Sequence, residues 1–201
     1  FVGVPNPPDL KRESILSAAL VQFSLYGFRR TSMEDIAKET GVSRASLYSY
    51  FDNKEEIFRG LAAKLHEQSL ANAESHLKGD ASVGLDIGSR VEAALLSRLA
   101  PFFEVVAQSA HGSEIYDENN RLCGDLVLAS SERFIGMLTT ALSAAARAGE
   151  IDLKAAGLTA PATAELIYLA SGGLKQGFPN IAAIEKKMHG FVSVFFAGLR
   201  G

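Results

Sequence analysis

The sequence predicts an all-α protein, on three observations. Apolar residues recur three and four positions apart along nearly the whole chain. No segment alternates convincingly as a strand. Gly, Pro and small polar residues punctuate the periodic runs where helices should start and stop. No repeat of fixed period is present. With 201 residues and 47% hydrophobic content, the chain can build one large domain or two small ones.

Each element has its own signal. Pro5, Pro7 and Pro8 mark an extended arm over residues 1–8, with Asp9 as the cap of the first helix. From Leu10 to about Tyr26, the residues Ile15, Leu16, Ala19, Phe23 and Tyr26 fall on one helical face, and Gly27 ends the run. Ser32 and Asp35 form a capping box, with Asp in place of the usual Glu. The second helix turns Met33, Ile36 and Ala37 inward and stops at Gly41. Ser43 caps a third helix that reaches about Tyr50. Lys54 opens a long amphipathic helix through Ile57, Phe58, Leu61 and Leu65 towards Leu77. Gly79-Asp80 is a turn and the best boundary between domains by composition.

Beyond it the helices continue. One covers about 84–99. Another starts at Pro101 and fades before His111-Gly112-Ser113. A long one spans about 117–148, and Gly149 begins a turn with a short extended piece. Pro161 suits the first turn of a helix to about Gly177. Pro179 breaks the chain before a last helix that ends near Leu199.

Charge narrows the function classes. The formal net charge is −3. Residues 1–66 hold nine Lys and Arg against eight Asp and Glu, so the acidic excess lies in the rest. A non-specific DNA-coating protein would be far more basic, because its affinity comes from phosphate neutralisation. No run of about 18 apolar residues suggests a transmembrane helix. The start lacks the charged and apolar regions of a signal peptide. One cysteine, Cys123, cannot form an internal disulfide, and a buried inert thiol is its expected state. The expected location is cytoplasmic.

Residues 31–58 carry the chemistry. They read as a short helix, a tight turn on Gly41, a second short helix and the start of a third. The second short helix is rich in small and hydroxylic side chains, which a core would waste and a DNA major groove can use. Val42 and Leu47 anchor it inward, with Tyr50 and Phe51 behind. Arg44, Ala45, Ser46, Tyr48 and Ser49 are left facing out. Arg44 can fork onto guanine O6 and N7, Ser46 and Ser49 can bond base edges or phosphate, and Ala45 permits close approach. Tyr48 reaches a phosphate, and Lys54 puts a cation beside a helix N-terminus. With Thr31, Ser32 and Ser43 these complete the DNA-binding candidates.

The string as a whole resembles the TetR family of bacterial transcription regulators. The matching residues are Gly27-Phe28, Thr31-Ser32, Ile36-Ala37, Gly41-Val42-Ser43, Leu47-Tyr48, Tyr50-Phe51, Lys54-Glu55 and Phe58. Ala45 departs from the pattern, where the family often has Gly; Ala is the better helix former. The resemblance covers about the first third of the chain. It implies a helix-turn-helix DNA-binding domain over 9–55, joined by a long helix to a helical ligand-binding and dimerisation domain within 56–201. It also implies a homodimer on a palindromic operator of double-stranded DNA, and a repressor released by a small-molecule inducer.

The later helices add weaker signals. Ile184, Met188, Phe191, Phe195 and Leu199 form an apolar stripe that Val192 and Phe196 widen, so burial on two sides is expected. Ala170-Ser171-Gly172-Gly173 permits close helix approach. Ala170, Gly173, Met188, Phe191 and Phe195 are therefore the interface candidates. Phe102, Phe103, Tyr116, Phe134, Met137 and Tyr168 are pocket candidates for a small apolar or aromatic effector, with Gln108 as a polar anchor. Glu114, Asp117 and Glu118 read as a solvated helix start. His66, His76, His111 and His189 lack metal-like spacing. No phosphate-cradling loop, nucleophile elbow or metal motif suggests an enzyme, and no cofactor, metal or membrane partner is expected.

Overall fold

A computed structural model describes residues 7–78, 84–107, 109–174 and 180–200. The expected turn at Gly79-Asp80, the break at Pro179, Gln108 and most of the expected arm lie outside the described residues. Among those described the chain is all-α, with nine helices and no strand. They are α1 (Pro7–Tyr26), α2 (Met33–Thr40), α3 (Arg44–Tyr48), α4 (Lys54–Lys78), α5 (Ile87–Ala107), α6 (Gly112–Leu122), α7 (Gly124–Arg147), α8 (Ala160–Leu174) and α9 (Ile181–Ala197).

Several boundaries depart from the sequence reading, each for a physical reason. Helix α1 begins at Pro7, so Asp9 sits in the first turn rather than at the cap. Prolines are at home there, because the first helical N–H groups have no intrahelical partner. Helix α3 ends at Tyr48, earlier than expected. The helical backbone of α5 continues past Pro101, which is buried, so packing of its apolar face outweighs one lost backbone bond. Helix α6 starts at Gly112 and is separated from α7 at Cys123, whose ψ of 18° leaves the helical region. No strand forms after Gly149. Ile151 and Leu153 are instead buried, and Asp152 N–H donates to the Leu199 carbonyl at 2.7 Å. Asn180, unnoticed in the sequence, caps α9 by accepting from Ala183 N–H at 2.9 Å.

The contacts divide the chain into two units. One comprises Phe1–His66 with Phe102–Val127; the other comprises Glu67–Pro101 with Leu128–Gly201. The first unit packs Ile15, Leu16, Phe23, Phe28, Ile36, Leu47, Phe51, Ile57 and Phe58 into one core with Ile115 and Cys123. Phe23, Phe28 and Phe58 meet as an aromatic triad with ring centres 5.3–5.8 Å apart. Tyr26, expected on the inner face, is 53% exposed. The second unit has its own core, built on Leu70, Val91, Leu95, Phe134, Leu138, Leu142, Ile167, Met188, Val192 and Phe196.

Candidate nucleic-acid interface

Two caps and a left-handed glycine set the geometry of α2 and α3. Ser32 Oγ accepts from Asp35 N–H at 3.2 Å, and Asp35 Oδ2 accepts from Ser32 N–H at 2.9 Å. The Ser32 hydroxyl also donates to Asp35 Oδ2 at 2.6 Å, and this bond, with the one from Ser32 N–H, holds the Asp35 carboxyl below its ordinary pKa. Gly41 ends α2 at φ +72°, a conformation that costs glycine little. Ser43 then caps α3 by accepting from Ser46 N–H at 3.1 Å. Leu47, fully buried, pins the helix to the core.

That pin leaves the opposite face free. Arg44, Ala45, Tyr48 and Ser49 are exposed, and Ser46 is half-buried. The Arg44 guanidinium stands 5.6 Å from the Tyr48 ring centre, so two groups that could meet DNA also brace each other. Ser49 Oγ donates to the Ser46 carbonyl at 2.7 Å and keeps its lone pairs as acceptors.

Two of the sequence-selected residues turn inward. Thr31 is 2% exposed, and its hydroxyl donates to the Gly27 carbonyl at 2.8 Å. The Lys54 ammonium donates to the carbonyls of Phe28, Arg29 and Thr31 at 2.8, 3.2 and 3.0 Å, and lies 4.5 Å from the Phe28 ring centre. All three of its N–H groups are thereby used. The sequence showed the charge of Lys54 but not the three carbonyls that converge on it.

Sequence reasoning passed over two further features of this unit. Arg30 and Lys38 line an open cleft of about 480 Å³ with Gln22, Tyr26, Thr31, Asp35 and Glu39. Charge alone marks these two cations. The second feature is acidic. Glu114 and Glu118, expected as a solvated helix start, point at the turn after α1. Glu114 Oε1 accepts from Arg29 N–H at 2.8 Å. Glu118 is 5% exposed and pairs with Arg121 at 2.7 Å and with the Arg29 side chain at 3.5 Å. Their spacing of four places both on one helix face, which was the available signal.

The pocket candidates occupy different surroundings. In the first unit, Phe102 rests 4.8 Å from the His66 ring and lines a small apolar cavity of about 40 Å³ with Phe23, Phe58, Leu61 and Ile115. That volume suits little more than one water. Phe103 is half-buried, and Tyr116 is 58% exposed. In the second unit, Met137 lines an open cleft with Glu74, Leu77, Arg90 and Thr140. Phe134 is fully buried, and it and Tyr168 flank Arg98.

Among the interface candidates, Met188 is fully buried in the chain's own core. Phe191 and Phe195 are half-buried with ring centres 5.5 Å apart. Leu166, Leu169 and Val194 are 46%, 68% and 77% exposed. A Cβ added at Gly172 or Gly173 would meet nothing within 4 Å.

Comparison with known proteins gives the same local pattern. The sequence profile of bacterial regulatory proteins of the tetR family matches residues 15–61. The biofilm operon icaADBC HTH-type negative transcriptional regulator IcaR of Staphylococcus epidermidis is 42% identical over 48 residues, 24% of this chain and 26% of that protein. The alignments span between 23% and 41% of the length of the curated relatives that the chain matches. Solved structures extend the likeness of fold. A transcriptional regulator from Cytophaga hutchinsonii superposes with a TM-score of 0.77 at 20% identity, over 96% of this chain and 100% of that one. A complex of SmeT with triclosan does so with a TM-score of 0.64 at 19% identity, over 92% and 91%. SmeT is the repressor of the Stenotrophomonas maltophilia multidrug efflux pump SmeDEF.

Proposed function

We propose that this chain, which belongs to the TetR family of bacterial regulatory proteins, is a sequence-specific DNA-binding transcription regulator. In this reading it represses from a palindromic operator and is released by a small molecule. The observation that carries it is α3. Leu47 buries one side of a capped short helix, and Arg44, Ala45, Tyr48 and Ser49 stand exposed on the other. Arg44 reads a guanine edge, Ser46 and Ser49 bond bases or phosphate, and Tyr48 meets the backbone. Ser32 and Ser43 present helix N-termini to phosphates, and Arg30 and Lys38 add charge beside them. Thr31 and Lys54 hold the turn that carries these groups.

Residues 9–55 serve as the reading head and 56–201 as the effector and dimerisation part. Two heads are needed to read a palindrome. The apolar residues left exposed on α8 and α9, namely Leu166, Leu169 and Val194, with open space at Gly172 and Gly173, support a homodimer face there. Phe191 and Phe195 border it, and Ala170 lies on the same helix as the glycines. An effector must favour the state that binds operator less well, by about 1.4 kcal/mol per tenfold loss of affinity, and operator must weaken the effector equally.

Fluorescence anisotropy tests the reading, with labelled DNA from the chain's own promoter region against random DNA of equal length. A preference of at least a thousandfold at moderate salt supports it. Equal binding indicates a non-specific binder, and no binding to either indicates a protein-interaction module.

A further inference from the structure

The second unit holds an arginine in unusual surroundings. Arg90, Arg133 and Arg200 of that unit each meet a carboxylate. Among the described residues, Arg98 has none. Its guanidinium lies 4.6 Å from the Phe134 ring centre and 5.7 Å from that of Tyr168. Nη2 donates to Ser130 Oγ at a long 3.3 Å, and Nε is buried with no hydrogen-bond partner. Burial pushes the guanidinium below its ordinary pKa, so the charged form is poorly solvated here.

The neighbouring hydroxyls are also withdrawn from water. Ser130 and Ser131 are 3% and 6% exposed, and Ser131 Oγ lies 2.6 Å from the Tyr168 hydroxyl. Ser69 Oγ donates to the Arg98 carbonyl at 2.8 Å and fixes the backbone from which the side chain projects. Phe134 and Leu138 of the same core are fully buried. A few convergent polar groups in an apolar setting make up the usual composition of a small-molecule site.

The energetics give the site a direction. A cation taken from water without an anion is costly, and ring faces return only part of that cost. A guanidinium whose buried Nε has no partner, and whose hydrogen bonds go to the neutral hydroxyls of Ser130 and Tyr168, is matched best by a carboxylate or a similar planar anion. We propose that Arg98 is the anion anchor of a small-molecule site in the second unit. With Ser130, Ser131 and Tyr168 it receives the carboxylate of a hydrophobic acid whose apolar body lies against Phe134 and Tyr168. The proposal rests on the reading of this chain as an effector-controlled regulator. It changes the expected effector from an apolar molecule to an amphiphilic acid. Helical periodicity does not reveal this, because an arginine on an amphipathic helix is ordinarily assigned to the wet face.

Isothermal titration calorimetry on the full chain without DNA tests it, with 2-naphthoate as the acid and 2-naphthamide as its neutral counterpart. The parent should bind the acid at least tenfold more tightly than the amide at pH 7. Arg98→Met should abolish that preference and keep amide binding. It should also melt at or above the parent temperature, because an unpaired buried charge has been replaced by an apolar chain. Arg98→Lys keeps the charge without the fork and should retain part of the preference. Equal affinity of the two probes for the parent, no binding of the acid at millimolar concentration, or a preference that survives in Arg98→Met would overturn the proposal. An operator titration alongside keeps the two readings apart. Operator binding without acid binding removes the anchor alone. Acid binding through Arg98 with no effect on operator leaves the anchor and removes the control.

Discussion

Glu114 Oε1 accepts the backbone N–H of Arg29 at 2.8 Å, which ties helix α6 to the turn between α1 and α2. The other oxygen of the same carboxylate leaves no room across the turn. A Cβ at Gly27 would lie 2.4 Å from Glu114 Oε2, and Gly27 holds φ at +83°. The turn therefore requires glycine twice, for its backbone and for the carboxylate beside it. Glu114→Ala should cost about 1 kcal/mol of stability and weaken operator binding without changing base preference. Urea denaturation and anisotropy check this. Parent-like values in both would mean that the tie has no mechanical role.

The capping box of α2 gives a second test. Ser32→Ala removes the acceptor for Asp35 N–H and the hydroxyl bond to the Asp35 carboxylate, and leaves the backbone N–H of residue 32 as its donor. Loss of such a cap costs about 1 kcal/mol. The Asp35 pKa, held down mainly by the Ser32 side chain, should rise towards 3.8. NMR titration of Asp35 reads the shift directly, and an unmoved midpoint would deny the box.

Lys54 separates two roles. Its ammonium spends all three N–H groups on the carbonyls of Phe28, Arg29 and Thr31. As a staple, its replacement in Lys54→Met should lower stability by about 1.5–3 kcal/mol, the range for charge-assisted bonds. The salt dependence of DNA binding should then hold. As a phosphate contact, the variant should instead be stable and flatten the salt slope by about one unit. The staple outcome is expected.

Asp125 provides the pH test. Arg59 meets both of its oxygens, at 2.8 and 2.7 Å. This bidentate bond holds the Asp125 pKa at about 2, below the ordinary 3.8. A carboxyl depressed on folding contributes stability above its unfolded pKa and loses it as pH falls through the folded value. The contribution should be complete above about pH 5 and be lost progressively to about pH 1, below both values. Asp125→Asn should flatten that part of the stability profile, and an identical acid limb in parent and variant would contradict the pairing.

Much of the head was legible in the sequence because local chemistry decides it. Ser32, Asp35, Gly41 and Ser43 act through neighbours within five positions, and each does what its residue type suggests. The misreadings arise where distant chain decides. Lys54 looks polar and free until the carbonyls of Phe28, Arg29 and Thr31, from 26 to 23 positions earlier, converge on its ammonium. Glu118 looks solvated until Arg29, 89 positions earlier in sequence, is beside it. Met188 looks like an interface residue because a stripe of double width does not say which half faces the chain's own core. Arg98 was overlooked because periodicity reports faces and not the absence of a partner.

The central claim is that α3 reads base edges through Arg44, and one titration tests it most directly. Arg44→Ala and the parent are compared by anisotropy on the promoter palindrome and on copies with each guanine replaced in turn. The half-site centres are expected about 34–36 Å apart. The parent should lose about 1–3 kcal/mol on one guanine substitution per half-site. Arg44→Ala should lose the same amount on the intact operator and become indifferent at that position. An Arg44→Ala protein that binds the intact operator as the parent does, and still discriminates every guanine, would contradict the assignment of α3 as the reading helix.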